Sequence, residues 1–233
     1  DLNNMKLKVL DCTLRDGGYY VNWDFDEALV NKYISSVVSA KIDILEIGFR
    51  FLAEDKFMGA FAYSTDFFIQ TLNISEAIDI AVMINASELI KFKDGVSSAV
   101  NYLFNDKKKS PVSIVRIAVK ETDISDCKEI SKILKKLGYR VFLNVMQIDS
   151  IERNEISKLA KKIQNWGTIE VLYFADSFGN MNPNSVEEVM SALMMGWHGP
   201  IGIHTHDNKN LALSNSIAAA GLGAKYIDST ISG

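Results

Sequence analysis

The sequence predicts an α/β protein: a (β/α)8 TIM barrel, cut off after its eighth strand. Three observations lead there. Short apolar runs recur at intervals of roughly 25–35 residues, the length of one strand–helix unit. The runs are dense in Val, Ile, Leu and Phe, as strands buried on both faces must be. The stretches between them carry helical periodicity.

In chain order the predicted strands are Lys8–Thr13, Ile44–Phe49, Ile80–Ile84, Ser113–Val119, Val141–Val145, Val171–Ala175, Ile201–Thr205 and Tyr226–Ile231. Between the first two, Asp26–Ala40 places Leu29, Val30, Tyr33, Ile34, Val37 and Val38 on one helical stripe. Ser125–Leu137 carries Ile130, Ile133, Leu134 and Leu137, and Gly138 is its stop signal. Ile156–Ile163, Ser185–Leu193 and Asn210–Ala220 complete the predicted helices. Strand–helix alternation implies a parallel sheet. Eight units favour closure over an open doubly wound sheet, which would show a Gly-rich turn opening a helix after its first strand. Asp16-Gly17-Gly18-Tyr19 is not that fingerprint.

The 233 residues read as a single barrel domain, residues 1–233. A barrel of this kind typically has about 250 residues and an eighth helix. The chain is therefore expected to be part of a longer polypeptide. A formal charge of −4 and no basic face argue against nucleic acid as a partner, and Lys107-Lys108-Lys109 reads as a solvated loop. No apolar window is long enough to span a membrane. Two cysteines, Cys12 and Cys127, are too few for a disulfide framework and fit free thiols in a cytoplasmic protein.

Barrel enzymes keep their active sites at the C-terminal ends of the strands. In this sequence those ends carry Thr13-Leu14-Arg15-Asp16, Glu46 and Arg50, Asn85, Lys120, Asn144 and Gln147, Asp176-Ser177, and His204-Thr205-His206-Asp207-Asn208. Side chains two apart on a strand share a face, so His204 and His206 can reach one cation, with a carboxylate from another strand completing the set. Asp16 is able to supply it, and Arg15 beside it is able to hold a developing oxyanion. Charges at the end of a buried strand are costly without partners. An Asp–Arg pair that merely closes the barrel mouth is the competing reading for Arg15 and Asp16. His198 precedes the seventh strand, at the opposite face, and reads as structural. Asp11, inside the first strand, reads as a support.

Asp11-Cys12-Thr13-Leu14-Arg15-Asp16-Gly17-Gly18 resembles the D-x-T-L-R-D-G signature of the DRE-TIM metallolyases, the pyruvate-aldolase and acyl-CoA condensing superfamily. His204-Thr205-His206-Asp207-Asn208 is similar to its H-x-H-N/D-N segment. Ala175-Asp176-Ser177-Phe178-Gly179, with Met181 and Pro183, resembles its sixth-strand pattern. Arg116-Ile117-Ala118 and Asp228–Gly233 also fit. The branch most resembled is that of the 4-hydroxy-2-oxovalerate aldolases.

The resemblance implies Asp16, His204 and His206 as ligands of a divalent metal, Mn²⁺ or Mg²⁺ first, with Co²⁺ or Zn²⁺ as alternatives. It implies Arg15 as the group that steadies an enolate oxygen, Glu46 as a carboxylate of the site, and Asp176 and Ser177 as substrate-facing or supporting residues. Two departures stand out. Where that branch has a histidine base three residues past the ligand Asp, this chain has Tyr19, the catalytic candidate at that position, whose ordinary pKa near 10 makes a poor base unless the site lowers it. The Tyr19–Trp23 aromatic run is expected to shape a distinct first loop. The family's Gly-rich segment after the eighth strand lies beyond residue 233.

The implied reaction is retro-aldol cleavage of a 4-hydroxy-2-oxo acid to pyruvate and an aldehyde. A Claisen-type enzyme acting on an acyl-CoA, and a non-catalytic barrel within a larger protein, stay open beside it. The expected partner is a small 2-oxo acid. A homo-oligomer or a further domain also stays open.

Overall fold

The structure, a computed structural model, describes residues 6–231. Ser232 and Gly233, the end of one quoted motif, lie outside them. Eight parallel strands close into a barrel in sequence order: β1 (Lys8–Asp11), β2 (Ile44–Phe49), β3 (Asp79–Asn85), β4 (Ile114–Val119), β5 (Arg140–Val145), β6 (Val171–Ala175), β7 (Ile201–His204) and β8 (Tyr226–Ser229). β8 pairs with β1 from Lys8↔Tyr226 to Asp11↔Ser229, which removes both sheet edges. Each predicted strand is present. β1 is shorter than expected, because Thr13 already belongs to a helix.

The helices are α1 (Thr13–Val21), α2 (Glu27–Ser39), α3 (Ala60–Tyr63), α4 (Asp66–Thr71), α5 (Ala86–Ile90), α6 (Gly95–Leu103), α7 (Cys127–Lys136), α8 (Arg153–Gln164), α9 (Pro183–Met194) and α10 (Ala212–Gly221). Local chemistry sets several ends. The Asp26 side chain accepts from the Leu29 N–H and starts α2. Asn182 and Ser185 form a reciprocal capping box around Pro183 at the start of α9. Gly138, at φ +97°, ends the α7 segment in a conformation that favours glycine. α2 buries Val30, Tyr33, Ile34 and Val37, while Leu29 and Val38 face solvent, a narrower stripe than the periodicity suggests. The short helices between β2 and β4 have no clear periodic signal: α3 packs on β2, α5 on β4 and α6 on α5 and α7, while the Thr65 hydroxyl caps α4.

α1 replaces the expected first loop. Gly17, Gly18 and the aromatic residues after them are weak helix formers. Tertiary contacts override that preference. The Asp11 carboxylate accepts from the Thr13 N–H at 2.9 Å and from the Tyr33 hydroxyl, so the turn follows the strand directly. At the far end Asn22 and Trp23 adopt left-handed backbone conformations, and the chain folds back. The Trp23 indole packs on Gly18, where a Cβ would lie 1.9 Å from the ring, and its Nε1–H donates to the Arg15 carbonyl at 3.0 Å.

Two apolar clusters form the core. The larger fills the shell between strands and helices. The smaller lies inside the barrel and contains Leu10, Ile44, Ala81, Ile114, Phe142, Tyr173 and Tyr226. Above it the period-two alternation turns Glu46, Arg116, His204 and Asp228 inward. β2 has a register shift between Glu46 and Gly48. A Cβ at Gly48 would meet the Phe61 carbonyl oxygen at 2.1 Å, so that bulge lets the α3 backbone approach the strand. We expect Gly48→Ala to cost about 1–3 kcal/mol through overpacking against backbone. Urea titration should show a lowered midpoint with an unchanged slope. Unaltered stability would contradict this packing.

Candidate active site

The C-terminal mouth of the barrel opens into a cavity of about 900 Å³. Arg15, Asp16, Tyr19, Phe49, Met83, Asn85, Asn144, Ser177, His204, His206 and Asp228 are among its lining residues. Arg15 and Asp16 sit in the first turn of α1, His204 at the end of β7 and His206 two residues on. One ligand atom each of Asp16, His204 and His206 lies within 4.8 Å of the others. His204 Nε2 is 3.4 Å from Asp16 Oδ2 and 3.3 Å from His206 Nε2.

The outer nitrogens decide what the inner ones can do. His206 Nδ1 is 3.0 Å from the Ser177 carbonyl oxygen, which can only accept, so this nitrogen carries a proton. His204 Nδ1 is 2.8 Å from Asp228 Oδ2 and donates to it. With Nδ1 committed on both rings, the two Nε2 atoms are the ones turned toward each other and toward the Asp16 carboxylate. Two imidazole nitrogens and a carboxylate oxygen, each able to offer a lone pair, thus converge on one point, a set that could hold a cation. The carboxylate and carbonyl behind the rings are the supports that fix tautomer and orientation at such sites. Burial opposes the Asp16 charge, but the Arg15 guanidinium outweighs it and helps hold the carboxyl below the usual range. A second trio, Cys12, His204 and Asp228, is also close together. Burial pushes the Cys12 thiol well up, so no thiolate is offered there.

Arg15 is held from two sides. Nε donates to Glu46 Oε1 at 2.6 Å, Nη1 pairs with Asp16, and Nη2, although buried, has no partner among the described residues. Glu46 is fully buried and does not line the cavity. Its second oxygen accepts from Arg116 Nη1 at 2.9 Å. Asp176 is also buried outside the lining. Its oxygens accept from the Asn180 and Met181 N–H groups at 2.9 and 3.2 Å and shape the loop after β6. Ser177 reaches the site through its carbonyl, while its hydroxyl accepts from the Gln147 N–H.

Tyr19 lines the mouth and is 60 % exposed, with edge contacts to Trp23 and Phe49. Partial burial leads the causes that raise its phenol above 10, the wrong direction for a base at neutral pH. Arg50 is buried and spent on Asp66 and on the Ser64 and Leu103 carbonyls. Lys120 and His198 are solvent-exposed, and neither lines the cavity.

Sequence reading left Asp228 and Arg116 without roles. Their signal is a charge inside an otherwise apolar strand, as in Ile114-Val115-Arg116-Ile117-Ala118. Asn144, at the end of β5, was visible only as a polar strand end. It is buried at the cavity wall, and its Oδ1 has no partner among the described residues.

The fold agrees with the comparisons to known proteins. The chain belongs to the HMGL-like family, which it matches over residues 6–233. More particularly, it is 27 % identical over 229 residues to 4-hydroxy-2-oxovalerate aldolase of Pelotomaculum thermopropionicum, covering 98 % of this chain and 65 % of that protein. This chain thus spans just under two thirds of that relative's length. Among solved structures it superposes with a TM-score of 0.87 on the N-terminal domain of a Bacteroides vulgatus protein provisionally classed as an aldolase. The identity there is 34 %, covering 97 % of this chain and 73 % of the other. HMG-CoA lyase of Bacillus subtilis shares the fold, with a TM-score of 0.72 at 15 % identity, over 97 % of this chain and 77 % of that one.

The tautomer assignment has a direct test. In protein labelled with ¹⁵N-histidine, Zn²⁺ titration should shift the Nε2 resonances of His204 and His206 and leave both Nδ1–H signals in place. Loss of the Nδ1–H signals instead would reverse the assignment.

Proposed function

We propose that this chain carries the catalytic barrel of a divalent-metal-dependent carbon–carbon lyase, which cleaves a 4-hydroxy-2-oxo acid to pyruvate and an aldehyde. One observation carries the reading. The Nε2 atoms of His204 and His206 and an oxygen of Asp16 converge, while both Nδ1 atoms are committed elsewhere. Family membership and the aldolase names among the relatives support the class of reaction.

Asp16, His204 and His206 would hold the ion, and their mixed carboxylate–imidazole character suits Mn²⁺ or Mg²⁺ and admits Co²⁺ or Zn²⁺. Bound there, a divalent ion supplies Lewis acidity toward the 2-oxo group of the substrate. The protein's own contribution is charge placement. Arg15 Nη2 is buried, unpartnered among the described residues and fixed by two carboxylates on its other nitrogens. It offers a preorganised donor to the negative charge that develops on the former keto oxygen as the C3–C4 bond breaks. In a site shielded from water such a donor is worth far more than in solution. Tyr19, protonated at neutral pH, orients the substrate by donating a hydrogen bond, and the 4-hydroxyl proton passes to water at the open barrel mouth as the aldehyde carbonyl forms.

Pyruvate alone tests this division of roles, since its methyl protons exchange with solvent only if the site can stabilise the enol form. His204→Ala should lower the exchange rate with added Mn²⁺ by at least about 100-fold, in the range of losing one oxyanion-type contact. Proton NMR in D₂O measures it. Exchange at the wild-type rate would defeat the proposal. Tyr19→Phe should raise KM for the hydroxy acid and change kcat less than about tenfold, below the usual range for loss of a general base.

A further inference from the structure

Beneath the floor of the cavity lie two side chains that no substrate reaches, Glu46 and Arg116. Both are fully buried and neither lines the cavity. Arg116 stands in the middle of β4 between apolar neighbours. It divides its guanidinium between two carboxylates: Nη1 donates to Glu46 Oε2 at 2.9 Å, and Nη2 to Asp228 Oδ2 at 2.6 Å. That same Asp228 oxygen accepts from His204 Nδ1 at 2.8 Å. The other Glu46 oxygen accepts from Arg15 Nε at 2.6 Å.

We propose that Arg116 is a positioning residue of the active site, orienting His204 through Asp228 and Arg15 through Glu46. This rests on the metal-dependent reading given above. A guanidinium is a rigid planar fork, so the two carboxylates it holds are fixed relative to each other. The plane itself is fixed by the Tyr173 ring, whose centroid lies 4.5 Å from the guanidinium carbon. One side chain thereby sets the angle between the imidazole of the cation site and the arginine that faces the reacting oxygen. Stability alone does not call for this arrangement, because buried ion pairs can often be replaced by well-packed apolar residues without loss. Lysine carries a point charge on a flexible stem and cannot hold both carboxylates in one plane.

The test is calorimetric titration of the full 233-residue chain with Mn²⁺, run beside pyruvate methyl exchange at saturating Mn²⁺, with folding checked by circular dichroism and urea titration. Arg116→Lys should bind Mn²⁺ about 10–100-fold more weakly, as supports behind a metal ligand do when altered. Its exchange kcat should fall more than its KM changes. A variant weakened in urea but with wild-type Mn²⁺ affinity and exchange rate would show a purely structural arginine and overturn the proposal. Should Arg116→Lys fail to fold, Glu46→Gln decides. It loosens Arg15 and one of the two arms of Arg116 together, so exchange should slow and Mn²⁺ affinity should weaken, and wild-type exchange with wild-type affinity would overturn the proposal. A wild-type chain that takes up no Mn²⁺ defeats the metal-dependent reading and this inference together. A wild type that binds Mn²⁺ no better than Arg116→Lys defeats the positioning role alone.

Discussion

The site depends on a closed circuit of polar groups, five of them charged and the sixth an imidazole, drawn together across the barrel. Asp16 pairs with Arg15, Arg15 with Glu46, Glu46 with Arg116, Arg116 with Asp228, and Asp228 with His204, whose far nitrogen faces Asp16 again. These six groups come from α1, β2, β4, β7 and β8. A single charge buried in that interior would be prohibitive, whereas charges paired with opposite partners are tolerated. The circuit is therefore possible only because the barrel closes and brings distant strands to one axis. Once formed, it restricts the directions in which Arg15 and His204 can point.

The layers below and above follow from that constraint. Beneath it, aromatic and branched residues fill the barrel, and Gly202 leaves room for the Tyr173 ring, whose atoms lie 2.4–2.6 Å from where a Cβ would stand. Above it the cavity widens between Tyr19, Phe49 and Met83 on one side and the histidine loop on the other. α1 links the two levels. Its first turn sets Arg15 and Asp16 at the rim, and Trp23 locks the helix from outside. A flexible loop would place the same two residues less rigidly, with an entropic cost on ordering them.

Family membership and shared fold do not fix chemistry by themselves, since barrels host many reactions. The convergence of two Nε2 atoms and a carboxylate, each backed by an acceptor or a cation, is the more specific observation. It also assigns distinct tasks to residues that motif reading groups together. Asp16 and the histidines face the cavity, Glu46 supports Arg15 from below, and Asp176 shapes a loop. Tyr19 at the mouth lacks the basicity of a histidine.

The eight strands, the barrel class and the set Arg15, Asp16, His204 and His206 were legible in the sequence. Apolar runs and i, i+2 spacing are local properties, and they report which side chains share a face. The α1 helix was not legible, because its residues are poor helix formers and the contacts that impose it come from Asp11, Tyr33 and Trp23. Nor were the partners of the charges. Arg116 and Asp228 are 112 residues apart. Only closure of the barrel decides that they meet, because local pattern fixes the direction of a side chain along its own strand but not which distant group stands opposite it.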